Sequence, residues 1–265
     1  MSQTALRPLS ALPVPADLLG VLTDIDDTLT TEGVVPPEVV AALGRLHAAG
    51  LHVIPITGRP VGWSVPFAQA WPVDAIVAEN GAVALRRTGA GTLEKLYQQD
   101  AATRAQQFAR MQQVLAQIEA QVPGARRATD SPGRECDIAI DHSEFTQLPQ
   151  AQIDHCVALM RAAGMHATVS SIHINGWLGD HNKLDGARWI VQELFGIDLH
   201  ATLGRWIYIG DSTNDQLMFQ HLPLSVGVAN IARFVPQLQH LPQFVTPAAR
   251  GAGFVQLVEH VLAPR

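Results

Sequence analysis

Two carboxylates two residues apart, Asp24 and Asp26 in the run VLTDIDDTLT, followed by Thr28, are the first side chains of this chain whose spacing suggests chemistry. Carboxylates that close repel each other unless a cation or a shared proton relieves them. A divalent metal is the expected relief, and an oxygen-rich site of this kind suits Mg2+. With a metal screening both the carboxylate and a phosphate dianion, Asp24 can attack phosphorus in line, as carboxylate nucleophiles do when an aspartyl-phosphate forms. Asp26 would then give a proton to the leaving oxygen and later take one from the hydrolytic water. The D-x-D pattern is short and common, and a solvated acidic turn is the plain alternative.

Three further groups could complete such a site. Thr57, Gly58 and Arg59 offer a hydroxyl beside an unhindered glycine N–H, a small donor pair for a phosphoryl oxygen, although an ordinary strand-to-helix turn reads the same way. In GDSTND, Gly210 permits a tight turn, Asp211 and Asp215 could complete or support a metal shell, and Asn214 could orient its neighbours. Ser212, Thr213 or Asn214 could equally cap a helix, and the two roles can coexist. Lys183 would offset the negative charge near Asp24 and the phosphate; a lone lysine is otherwise a solvated surface charge.

The elements that must position these groups alternate between short apolar runs and helical patterns, the signature of a parallel sheet with crossover helices. The expected strands are Leu18–Thr23, Leu51–Ile56, Ala75–Ala78, Trp206–Ile209 and Leu224–Val228. Expected helices begin at Pro36–Pro37 and span about Leu184–Phe195 and Gly253–Leu262. Asp24, Thr57 and Gly210 each directly follow a strand, at the carboxyl end where open α/β sheets place their ligands. Between the third strand and Lys183 the texture changes. A hairpin around Thr88–Gly91 leads into a helix at Ala101–Gln121, and Cys136–Ile140 and Ala167–Ile174 read as strands flanking a helix near Gln150–Ala163. The expected fold is therefore α/β, a Rossmann-like parallel-sheet core (residues 1–82 and 180–265) with an inserted α/β cap (83–179).

The 265 residues are 47% hydrophobic and 16% charged, with a net charge of -6, which suits a globular protein and gives no field to attract nucleic acid or an anionic membrane. A small-molecule partner is the default. The N-terminal stretch has no continuous apolar core of signal-peptide length, no run is long enough to span a bilayer, and two cysteines, Cys136 and Cys156, cannot make a disulfide framework; a reducing cytoplasm is expected. The histidines have no zinc-ligand spacing. Trp63 and Trp71, around Pro66, are expected to pack a loop near the site.

DIDDT, the threonine of ITGR, Lys183 and GDSTND, in this order, resemble the four motifs of the haloacid dehalogenase superfamily of phosphotransferases. Because the insertion falls after the third strand, the chain resembles subfamily IIB, the branch with a large α/β cap that includes sugar-phosphate phosphatases and phosphomannomutases. The resemblance implies Asp24 as nucleophile, Asp26 as acid and base, Thr57 as phosphoryl ligand and Lys183 as charge stabiliser. It also implies Mg2+ held by the Asp24 carboxylate, the Asp26 main-chain carbonyl and Asp211, with Asp215 in support.

Specificity in such an architecture is expected from cap side chains that close over the phosphoryl site. Arg134, Glu135, His173 and Asn175 are the candidates, with Thr28, Gly58 and Arg59 on the core side and Trp177 as a stacking face or as packing. The expected activity is hydrolysis of a small phosphorylated metabolite, with a sugar phosphate as the favoured class. A phosphomutase using the same Asp24 and a non-catalytic phosphate-binding protein are the alternatives.

Overall fold

The computed structural model describes residues 6–264; residues 1–5, the start of the stretch expected to lack a leader, and Arg265 lie outside the described residues. In chain order the elements are β1 (Arg7–Pro8), β2 (Gly20–Thr23), α1 (Pro37–Ala48), β3 (His52–Pro55), α2 (Val61–Ala70), β4 (Ala75–Ala78), β5 (Val83–Arg87), β6 (Leu93–Tyr97), α3 (Ala101–Gln121) and β7 (Arg126–Arg127). Then come β8 (Ile138–Asp141), α4 (Gln150–Ala162), β9 (His166–Val169), β10 (His173–Trp177), α5 (Lys183–Phe195), β11 (Trp206–Gly210), α6 (Gln216–His221), β12 (Leu224–Gly227), β13 (Phe244–Val245) and α7 (Arg250–Val261).

Six strands form one parallel sheet in the order β1-β13-β12-β11-β2-β3. The interior strand β2, paired on both sides, is buried along its whole length, which is why GVLT carries no polar-outward alternation. Val21 packs into one apolar cluster with α1 and α7, while Leu22 packs into another with α5 and α6. Helix α1 starts on Pro37, whose missing N–H costs nothing in a first turn, and buries Val39, Leu43 and Leu46. Helix α5 is capped by the Asn182 side chain, which accepts from the N–H groups of Leu184 and Asp185, and it ends at Gly196 in the left-handed region.

The expected insertion opens with the hairpin β5–β6, which pairs antiparallel with β4. Its remaining strands form a separate antiparallel sheet, β7-β8-β10-β9. Helices α3 and α4 cover that sheet around an apolar cluster of its own that includes Met111, Leu115, Ile140, Cys156, Met160 and Trp177.

Two local expectations need correction. Residues 167–174 are not one strand: Ser170 turns the chain, its N–H and hydroxyl both donating to the His173 carbonyl, so β9 and β10 form a hairpin. Residues around Pro66 are not a loop but the helix α2, along which Trp63, Phe67 and Trp71 pack in succession, with ring centroids 4.4 and 4.8 Å apart. Tertiary packing of that aromatic stripe outweighs the helix penalty of an interior proline.

Candidate active site

Four strand ends converge. Asp24 follows β2, Thr57 follows β3, Asp211 follows β11 and Asn230 lies just beyond β12. After β2 the chain turns through Asp27, whose φ of 53° is left-handed, and the Ile25 carbonyl accepts from the N–H groups of Thr28, Leu29 and Thr30. Short polar residues tolerate that conformation best, which suits an aspartate to this position.

Lys183, at the first turn of α5 and 3% exposed, donates from Nζ to Asp24 Oδ1 and to Asp215 Oδ1, each at 2.7 Å. Burial works against its charge, but Asp215 and Asp24 outweigh burial and hold it above the ordinary lysine range. Asp215 is engaged at both oxygens. Oδ1 also receives the Tyr208 hydroxyl, and Oδ2 receives the N–H groups of Asp211 and Ser212 at 2.9 and 3.0 Å. Ser212 and Asp215 thus make a capping box on the turn 213–215. Gly210 is required here, since a Cβ on it would stand 2.4 Å from Asp215 Oδ2.

Asp24, Asp211 and Asp215 each offer a carboxylate oxygen within 4.8 Å of the others, and all three are buried. Asp211 Oδ2 is held by Asn230 Nδ2 at 3.1 Å and an Arg233 guanidinium nitrogen at 3.3 Å. Its Oδ1 is buried with no hydrogen-bonding partner among the described residues. Burial, with Asp24, Asp215 and Asp27 adding to it, pushes the Asp211 carboxyl well above the carboxylate range, and burial pushes Asp24 up to about 7 against the pull of Lys183. An orphaned oxygen in a knot of buried carboxylates is a donor set completed by a hard cation, and the residues present fit Mg2+. Asp24 and Asp211 are the carboxylates with capacity left to bind it.

Asp26 points to a different partner. Arg59 Nε donates to both of its oxygens at 3.0 Å, and a terminal nitrogen donates to Oδ1 at 2.9 Å. The same guanidinium reaches two residues of the insertion, Asp130 at 3.2 Å and Glu144 at 2.7 Å, and lies over the Trp63 ring at 4.9 Å. Hydrogen bonds from His173 and Arg59 overcome burial and hold the Glu144 carboxyl down at about 2. Thr57 Oγ1 accepts the Arg59 N–H at 3.0 Å, and Thr28 Oγ1 is buried without a partner among the described residues.

The other candidates are distributed differently. Arg134 and Asn175 are buried and both donate to the Gly58 carbonyl, at 3.0 and 3.2 Å, and to Asp137, at 2.7 and 3.2 Å. Glu135 lies on the hairpin side, taking Lys95 Nζ and the Tyr97 hydroxyl, each at 2.6 Å. His173 meets the site through Glu144, from Nε2 at 2.9 Å. Trp177 has His166 and His181 stacked at 5.8 and 5.7 Å. Cys136 and Cys156 are buried and free, and burial pushes the Cys156 thiol up to about 11.

Sequence patterns do not single out several residues that stand in the site. Glu79 follows an apolar run and carries no motif, yet it is fully buried and accepts N–H bonds from Val61, Glu135, Cys136 and Asp137. Asn230 and Arg233 had a usable signal, since they follow a parallel strand at its carboxyl end. Tyr208, Asp130 and Glu144 had none. Asp26, Asp27 and Arg59 line one wall of a cleft of about 670 Å3 whose other wall is Ser143, Glu144, Phe145, Gln147, Ser171 and Ile172.

Residues 21–124 match the haloacid dehalogenase-like hydrolase family. A search of curated proteins gave no match. Among solved structures, the chain is similar to a Thermoplasma acidophilum protein at 16% identity and a TM-score of 0.69, covering 92% of this chain and 98% of that one. It is similar to the sucrose-phosphatase of Synechocystis sp. PCC6803 at 14% identity and a TM-score of 0.65, covering 92% and 98%. It is also similar to the C-terminal domain of the C. albicans trehalose-6-phosphate phosphatase at 11% identity and a TM-score of 0.67, covering 92% of each chain.

Proposed function

We propose that this chain, whose residues 21–124 match the haloacid dehalogenase-like hydrolase family, is a Mg2+-dependent phosphatase of a small phosphate ester, acting through an aspartyl-phosphate on Asp24. The observation that carries the reading is the buried Lys183 bridging Asp24 and Asp215 beside the orphaned Asp211 Oδ1. That is a charge arrangement built to receive a cation and an anion together.

Bound between Asp24, Asp211 and the Asp26 main-chain carbonyl, Mg2+ would neutralise the phosphoryl oxygens and the attacking carboxylate. Lys183 favours the ionised form of Asp24 against burial and orients its carboxylate. Asp24 attacks phosphorus and the P–O bond to the leaving group breaks. Asp26, lining the cleft, gives that oxygen its proton and then takes one from the water that cleaves the acyl phosphate. Thr57, Thr28 and the Gly58 N–H are the donors proposed for the phosphoryl oxygens. Residues 83–179 serve as the cap, closing the cleft through Glu144 and Asp130 on Arg59, with hinges near Gly81 and near Gly176 to Gly179.

A sugar phosphate is the proposed substrate class, supported by the fold shared with the sucrose-phosphatase and trehalose-6-phosphate phosphatase structures. Among the described residues no helix is long and apolar enough to cross a membrane. Two free buried thiols support the proposed cytoplasmic setting.

The test is phosphate release from a panel of sugar phosphates, nucleotides and an aryl phosphate, with Mg2+ or chelator. Release that needs Mg2+ and is abolished by Asp24→Asn supports the reading. No release from any ester by a protein that binds Mg2+ would overturn it and favour a mutase or a non-catalytic binder.

A further inference from the structure

Among the described residues three large apolar side chains are exposed, Val34 at 67%, Phe145 at 71% and Leu217 at 40%. Single exposed apolar residues are ordinary on a protein surface. Val34 and Phe145, however, line the same cleft as Asp26 and Arg59, one from the core and one from the insertion.

Both are held rigidly. Val34 closes a two-residue turn on Thr31, the two residues exchanging main-chain hydrogen bonds of 2.7 and 3.1 Å across Glu32 and Gly33, whose φ values of 52° and 76° are the left-handed pair of a tight hairpin. Phe145 sits on a loop gathered by Asp141, whose carboxylate accepts the N–H groups of Glu144 and Phe145 at 2.9 Å each and whose carbonyl accepts the Thr146 hydroxyl at 3.0 Å. Ser143 ties the same loop to the Ser171 carbonyl at 2.7 Å. An apolar side chain left in water on a loop so fully bonded has been preorganised for something to cover it.

The polar wall between the two is largely committed within the protein. Arg59 is shared by Asp26, Asp130 and Glu144, and Arg233 and Arg250 both bind Asp27. Among the described residues, no free cation of the cleft calls for a second anionic group on the ligand. The Ser171 hydroxyl is buried there without a partner among the described residues, a neutral donor left for a ligand.

We propose that Val34 and Phe145 are specificity-determining jaws that grip the leaving group of the ester, selecting an uncharged ring with an apolar face over a small acyclic or anionic group. This assignment rests on the phosphatase reading above for its placement of the phosphoryl group at Asp24. The jaws themselves rest on the cleft.

The test compares p-nitrophenyl phosphate, whose leaving group is an uncharged ring system, with glycerol phosphate, which has no ring. Phe145→Ala should lower the ratio of kcat/KM for the ring ester over the acyclic one by about tenfold, from lost apolar contact, and Val34→Ser should lower it in the same sense. An unchanged ratio in both variants would overturn the proposal, whatever happens to the absolute rates. If the wild type hydrolyses neither ester, the jaws are read from binding; the phosphatase reading itself fails only if no ester of the wider panel is hydrolysed. By calorimetry, Asp24→Asn should then bind p-nitrophenyl phosphate about tenfold more tightly than Asp24→Asn combined with Phe145→Ala. Equal affinity, or no binding to Asp24→Asn, would overturn the jaws.

Discussion

Arg59 grips Asp26 side-on, through Nε and a terminal nitrogen at 2.9–3.0 Å; that same terminal nitrogen also donates to Glu144 of the insertion, and the other one donates to Asp130. One guanidinium therefore joins the carboxylate proposed as acid and base to the unit proposed to close over it. Five N–H donors in a fixed plane make this possible, and an ammonium cannot reproduce it.

Arg59→Lys should consequently not rescue Arg59→Ala. Both variants should lower kcat/KM by roughly 10- to 100-fold and loosen the insertion, measured as steady-state rates together with the radius of gyration in solution. A lysine variant with wild-type kinetics would show that charge alone suffices.

The orphaned Asp211 Oδ1 leads to a prediction that needs no turnover. Mg2+ at a hundred times its Kd should raise stability by about 2.7 kcal/mol, roughly 5–10 °C in Tm for a chain of this size. Asp211→Asn should lose that increment. Without metal it should be at least as stable as the wild type, because it removes a carboxyl that burial disfavours ionising. Thermal melts with Mg2+ and with chelator measure both.

Glu79 receives four main-chain N–H groups, three of them from residues 135–137 across the seam between β4 and the insertion. That acceptor-only arrangement fits an ionised carboxylate. Glu79→Gln turns an amide NH2 toward those donors and should cost roughly 2–4 kcal/mol in urea unfolding. A variant as stable as the wild type would mean that the carboxyl is held neutral.

His181 sets a pH dependence of stability. Burial, with His166 adding to it, depresses its folded pKa from 6.5 to about 4. The unfolded chain binds a proton first as pH falls, so this residue's stability contribution is complete above about pH 6.5 and is lost progressively down to about pH 4. The loss amounts to roughly 3 kcal/mol. Between pH 6.5 and 4 the wild type should lose more stability than His181→Phe; parallel pH curves for the two proteins would refute the assignment.

Much of the framework is legible in the chain itself. Pro37, Asn182 and Gly196 announce where α1 and α5 begin and end. The apolar runs ending at Thr23, Pro55 and Gly210 mark strands buried on both faces, and the rule for parallel sheets puts whatever follows them at one edge. Asp24, Thr57, Lys183, Asp211 and Asp215 can be named because short-range patterns carry them. The helix α2 is not legible, because its proline and aromatic residues argue locally for a loop, while their packing argues for a helix.

Local pattern determined the element types, the strand-end positions and the acidic character of the site. Only the tertiary structure decided the partners: that Tyr208 and Lys183 take up Asp215, that Asn230 and Arg233 hold one oxygen of Asp211 and leave the other bare, and that Arg59 belongs to Asp26, Asp130 and Glu144 at once. The division has a physical reason. Caps, periodicity and turn chemistry act over a few residues and are written in the chain, whereas a buried charge takes its state from groups brought to it from 30 to more than 150 positions away, and those distances exist only once the core has closed.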